Sequence, residues 1–149
     1  MADDSTGTTG ENGALADALA AEHAAVWGYG VVGAALPAGQ RQPVTAAENA
    51  HRDLRDQLTA LLAERGESPA GPEAGYALPF PVLSPVDAAN LAATLEDGVA
   101  SAWVRVLGEA TERATRELAV TSLGAAEVRA VGWRSAGGQT AATRALPGL

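Results

Sequence analysis

The sequence predicts an all-α protein: a four-helix bundle made of two helical hairpins joined by one long crossover. Three observations predict it. Apolar residues recur at four-three spacing in separate stretches, the pattern of a helix that buries one face. Alanine fills 35 of the 149 positions and aromatic residues only 4%, a composition poor in the aromatic and β-branched residues that an all-β sandwich needs. Between the second and third periodic stretches lie Glu67 to Leu83, seventeen residues that include Pro69, Pro72, Pro79 and Pro81 and so are not a helix.

The elements follow in order. Residues 1–13, MADDSTGTTGENG, are acidic, small and polar and lack the basic and apolar regions of a secretory signal. Residues 1–11 read as a disordered tail, and residues 12–149 as the bundle. The first helix runs from about Asn12 to Leu36 and stops before Pro37. The second starts between Ala38 and Val44 and ends at Arg65-Gly66, an arginine in the last turn followed by a glycine stop. The crossover covers about residues 66–84. A helix of about 24 residues is about 36 Å long, and seventeen extended residues reach roughly 56–61 Å, so the connection can run the length of a bundle. The apolar letters from Tyr76 to Val82 suit a segment packed against it. At the third helix Ser84 is the cap, Pro85 takes the first helical position, and Asp87 favours the N-terminus. This helix runs to about Glu109. The fourth runs from about Glu112 to Ser135, before Gly137-Gly138; Gly108 and Thr111 are the only signals at its junction with the third.

Charge and composition exclude several function classes. The net charge is −8, and the ten basic residues are all arginine with no basic run, a poor match to the phosphate backbone of nucleic acid. With no cysteine there is no disulfide, thiolate metal site or cysteine nucleophile. The longest uncharged, mostly apolar run, Ala24 to Leu36, falls short of the roughly 20 residues that span a bilayer. A cytoplasmic location is expected.

Helix one carries the seam Leu15, Leu19, Glu22, Val26, Tyr29, Gly33, Leu36. Helix two repeats the period with Val44, Ala47, His51, Leu54, Leu58 and Leu61, and helix three with Ala92, Glu96, Val99, Trp103 and Val106. Each seam thus holds one acid or histidine, and a buried carboxylate is costly unless paired or metal-bound. Glu22, Tyr29, His51 and Glu96 are the candidate polar core cluster.

This constellation resembles the ferritin-like carboxylate proteins. They hold metal with a Glu from each of two helices and a Glu-x-x-His from each of the other two. Glu22 and Glu96 match the single acids, and Glu48-Asn-Ala-His51 matches one Glu-x-x-His. Helix four offers Glu127-Val-Arg-Ala130, with alanine in place of the second histidine. The resemblance implies iron or manganese held by Glu22, Glu48, His51 and Glu96, for redox chemistry or metal storage. Glu22-His-Ala-Ala-Val-Trp-Gly-Tyr-Gly30, Tyr76-Ala-Leu-Pro-Phe-Pro-Val82 and Leu146-Pro-Gly-Leu149 further resemble an actinobacterial ferritin-like family of unknown function, which implies the fold and no reaction.

Each residue also has a plainer reading. Glu22 can be a buried acid bonded to Tyr29 or His51; His51 a core histidine serving Glu22 or Glu96; Glu96 part of a structural ion pair. Glu48 shares a polar row with Arg52, Arg55 and Thr59. Glu127 suits a surface pair with Arg134 or Arg129, and His23 a partly exposed place near Trp27 or a subunit contact. Trp27, Trp103 and Trp133 read as core or interface anchors. Gly28, Gly30 and Gly33 follow no strand and read as close helix packing, not a phosphate loop.

Helical rise places Glu22 roughly 21 Å, Glu96 roughly 16 Å and Glu127 roughly 13 Å from the end where helix one finishes. His51 lies at roughly 10 Å if helix two starts at Val44 and roughly 20 Å if it starts near Ala38. Only the early start brings His51 level with Glu22, and it puts Pro43 in the first turns. No nucleophile–base pair stands out, so an enzyme is not expected. The expectation is a bundle with a reduced carboxylate–histidine cluster that is structural or binds a small ligand. The alternatives are the metal protein above and a homodimeric interaction module.

Overall fold

The computed structural model describes residues 4–149. The described residues contain four α-helices and no strand: α1 (Asp4–Ala35), α2 (Gln42–Glu64), α3 (Pro85–Glu109) and α4 (Arg113–Ala136). α1 and α3 form the central pair; α2 packs on α1 and α4 on α3, while α2 and α4 barely touch. No helix among the described residues is long and apolar enough to cross a membrane.

The start of α1 departs from the expected tail. Residues 1–3 lie outside the described residues, but from Asp4 the chain is helical, eight positions before the expected start at Asn12. The physical reason is Glu11, which is fully buried. Its carboxylate accepts hydrogen bonds from the Thr111 and Glu112 backbone N–H groups and from the Thr111 and Thr115 hydroxyls, and pairs with Arg65 at 2.8 Å. The glycines that suggest a loose tail are instead points of close approach. A Cβ on Gly7 would lie 3.0 Å from Thr111 Cγ2, and one on Gly10 2.7 Å from a Glu109 carboxylate oxygen.

The same clamp explains the α3–α4 junction. α3 ends at Glu109, Ala110 turns extended, and α4 begins with no side-chain cap of its own. Glu11 of α1 lies at that N-terminus, accepting from the N–H of Glu112, the N-cap residue, and from the Thr115 hydroxyl in the first turn, where negative charge is favoured. Ser84 caps α3 as expected: its hydroxyl accepts from Asp87 N–H, and the Asp87 carboxylate accepts in return from Leu83 N–H. Gly66, at φ 77°, ends α2 in the left-handed conformation that favours glycine.

The crossover lies against the bundle. Phe80 and Val82 are partly buried on Tyr29 and its apolar neighbours, Trp27 and Tyr76 have ring centroids 5.6 Å apart, and His23 meets the Ala70 carbonyl at 3.0 Å. His23 is therefore covered, at 9% exposure, and not the partly exposed group expected. After α4, Arg134 holds the terminal segment through the Ala142 carbonyl, and Arg144 pairs with Asp97 of α3.

The apolar core forms two layers. One is centred on Leu15, Leu19, Leu58, Leu62, Trp103 and Val106, the other on Tyr29, Val32, Val44, Ala88 and Leu91. The buried polar residues touch both layers: Glu22 meets Trp103 of the first, and His51 and Glu96 meet Tyr29 of the second.

Candidate functional site: a buried polar centre

Three helices bring Glu22, His51 and Glu96 together, and each side chain has no exposure at all. His51 Nδ1 lies 2.6 Å from a Glu22 oxygen, and its Nε2 lies 3.0 Å from Glu96 Oε1. The Tyr29 hydroxyl donates to the same Glu96 oxygen at 2.5 Å, and its ring stacks on His51 at 5.3 Å between centroids. The four members of the expected polar cluster thus form one connected network.

The early and late starts of α2 are reconciled here. A 3₁₀ turn (Ala38–Gln40) passes through Arg41, in right-handed helical conformation, straight into α2. The extra turn supplies the helical rise that His51 needs to meet Glu22. Pro43 falls in the first turn of α2, where its missing N–H leaves no bond unmade.

Two further residues join the network. Trp103 donates its indole N–H to Glu22 at 3.1 Å, so it is more than an apolar anchor. Arg129 of α4 donates its Nε–H to Glu96 Oε1 at 2.8 Å. A signal for Arg129 is present in the sequence: it falls on the row Ala126, Arg129, Trp133, whose spacing of three and four faces inward. Glu48 does not join. It pairs with Arg52 one turn on at 2.6 Å, the polar-row reading of that residue. Glu127 pairs with Arg134 at 2.7 Å, and α4 offers the centre a cation where a Glu-x-x-His would offer ligands.

The proton inventory follows from the partners. A histidine with a carboxylate at each nitrogen donates at both, as the imidazolium. Burial alone pushes His51 down, but the hydrogen bonds and charges of Glu22 and Glu96 outweigh it and raise its pKa to about 9. Burial likewise pushes Glu96 up and is outweighed by His51 and Arg129, which hold it below the ordinary carboxylate value. Tyr29 is raised well above the usual phenol, first by burial and then by the Glu96 charge, so it acts as a hydrogen-bond donor. With both acids ionised, Glu22 and Glu96 balance the His51 imidazolium and the Arg129 guanidinium.

A metal ion does not fit these residues. As the imidazolium, His51 turns both N–H groups on the carboxylates, and Arg129 occupies the Glu96 oxygen that already serves His51 and Tyr29. Among the described residues, no three acidic or histidine side chains are grouped to hold a metal ion. Glu96 Oε2 and Arg129 Nη2 are buried without a partner.

Fold and centre together define an all-helical bundle with a buried, charge-compensated polar core. The chain belongs to the family described as a domain of unknown function, DUF4439, whose profile matches residues 14–149. It is similar to a solved structure, the conserved hypothetical protein rv2844 from Mycobacterium tuberculosis. The two are 40% identical, with a TM-score of 0.83, over 85% of this chain and 96% of that one. Comparison with curated proteins yields no significant match.

Proposed function

We propose that this protein is a ferritin-like bundle in which a hydrogen-bonded ion network stands in place of a metal site, and that it acts as a binding or scaffold protein and not as a redox enzyme. The observation that carries this reading is the Arg129–Glu96–His51–Glu22 chain of contacts, in which a guanidinium and an imidazolium meet the acids that ferritin-like proteins turn toward metal. A cation entering there must first displace two bonded cations, and each displaced charge would remain in a low-dielectric interior. The test is metal analysis of protein produced with added iron and manganese. Less than about a tenth of an equivalent of either metal, with an unchanged melting temperature on adding Fe²⁺ or Mn²⁺, is expected. A full equivalent retained through dialysis overturns the reading.

A second feature favours self-association. Val120 on the outer face of α4 is 57% exposed, beside Gly124. Two acidic chains repel least where neither carries exposed charge, so an α4–α4 homodimer is the arrangement this face suits. Sedimentation equilibrium of the protein and of Val120→Glu tests it: a dimer that becomes a monomer supports it, and a monomer throughout, or a dimer that survives the substitution, removes it.

A further inference from the structure

A groove of about 280 Å³ opens between the start of α2 and the last turns of α4, lined by Pro43, Val128, Arg129, Gly132 and Trp133. It exists because α2 and α4 barely touch and because Gly132 has no side chain; a Cβ added there would meet nothing within 4 Å. Its walls are apolar apart from Arg129. That residue uses Nε–H on Glu96, has a buried Nη2 without a partner, and keeps its side chain 19% exposed. Nη2 is closed off from the groove, so the groove combines hydrocarbon walls with the part of the guanidinium that stays exposed, the composition of a small-molecule site.

Charge decides which class of molecule suits it. Arg129 and the doubly donating His51 already balance Glu22 and Glu96. An added carboxylate would leave the buried centre net negative, in a chain that already carries −8. A neutral oxygen accepts the guanidinium N–H and adds no charge. We propose that this groove binds a small, neutral, apolar molecule bearing a carbonyl oxygen, with the oxygen on Arg129 and the hydrocarbon against Trp133, Val128 and Pro43. The size of the groove limits the molecule to one ring or a short chain.

The inference rests on the charge-compensated centre proposed above, and metal analysis of the same samples separates the two: bound metal overturns both, whereas metal-free protein that ignores the probes overturns only this one. The probes are acetophenone, its charged counterpart benzoate, and ethylbenzene, which lacks the oxygen. Each is titrated into the full chain and followed by the amide signal of Gly132 and the indole signal of Trp133 in nitrogen–proton correlation spectra. Acetophenone is expected to shift both signals saturably and to bind about tenfold more tightly than either analogue. Gly132→Leu, whose Cβ meets nothing within 4 Å and whose remaining side chain would lie in the groove, is expected to keep the helical circular dichroism and lose the binding. No saturable shift, equal binding of benzoate or ethylbenzene, or undiminished binding to folded Gly132→Leu overturns the proposal. A change in sedimenting mass on Gly132→Leu, with no acetophenone binding to the unmodified chain, assigns the groove to a second copy and likewise overturns it.

Discussion

Glu11 and Glu22 lie on one face of α1, about three turns apart, and both are fully buried, yet they are neutralised in different ways. Glu11, near one end of the bundle, is held by Arg65, two threonine hydroxyls and two backbone N–H groups. Glu22, at mid-bundle, is held by His51 and Trp103, with Glu96, Tyr29 and Arg129 behind them. The end of a bundle exposes free helix termini whose N–H groups can serve an acid. Mid-bundle backbone is already hydrogen-bonded within its helices, so an acid there must find side chains. The middle therefore needs cations on other helices, and it is more exposed to the loss of any one of them.

The largest expected effect breaks the centre. Glu96→Ala leaves Arg129 and His51 short of their shared anion, and removing one partner of a buried pair costs about 3–5 kcal/mol. Glu11→Ala removes charge-assisted bonds, but Arg65 is 14% exposed and keeps Glu112 and the Asn12 amide as partners. Its expected cost is about 2–3 kcal/mol. Urea unfolding of both variants checks the order; an equal or larger loss for Glu11→Ala would remove the distinction between the two regions. Glu96→Met combined with Arg129→Met takes out an anion and a cation together, and is expected to lose less than Glu96→Ala alone.

Next in size is the response to pH, which separates the regions by direction. His51 is raised from 6.5 to about 9 in the folded protein. Its contribution is complete below about 6.5 and is lost as pH rises through about 9, a loss on the order of 3 kcal/mol. Glu11 is lowered from 4.5 to about 2, because the Thr115 and Thr111 bonds outweigh the effect of burial. Its contribution is complete above about 4.5 and fades as pH falls toward about 2. Base thus weakens the centre and leaves the Glu11 clamp intact. Acid weakens the clamp, and through Glu96, whose pKa is also lowered, the centre as well. Stability measured from pH 6 to 10 should fall in the protein and stay nearly flat in His51→Gln. A parallel fall in that variant would place the alkaline loss elsewhere.

Sequence periodicity carries the four helices, the crossover and the Glu22–Tyr29–His51–Glu96 cluster, because seams and caps are local patterns. Two parts were not legible. Glu11 continues the α1 seam four residues before Leu15, but Gly7, Gly10 and the threonines between them have weak helix propensity, and a tertiary clamp overrides it. The row Ala126, Arg129, Trp133 marks an inward face, yet Arg129 reads as one of two surface partners for Glu127, the other being Arg134, because a long cation on a helix ordinarily reaches solvent. Its inward turn depends on Glu96 of α3, thirty-three positions away. Glu48 shows the converse. A Glu-x-x-His match fixes only spacing, and the row it shares with Arg52 turns it from the core.

The smallest effects contrast two glycines, one beside each region. Gly66 ends α2 next to Arg65 of the clamp, at φ 77°. An L-residue there meets the left-handed penalty, so Gly66→Ala is expected to destabilise by about 1 kcal/mol. Gly132 lies within α4 beside Arg129, and an added Cβ meets nothing within 4 Å. In a helix interior alanine is preferred to glycine by about 0.5–1 kcal/mol, so Gly132→Ala is expected to stabilise. Melting temperatures should move in opposite directions, by a few degrees each. A fall for Gly132→Ala would show that the space beside Arg129 matters to the folded centre, and that the groove and the Arg129–Glu96 pair are one structural unit.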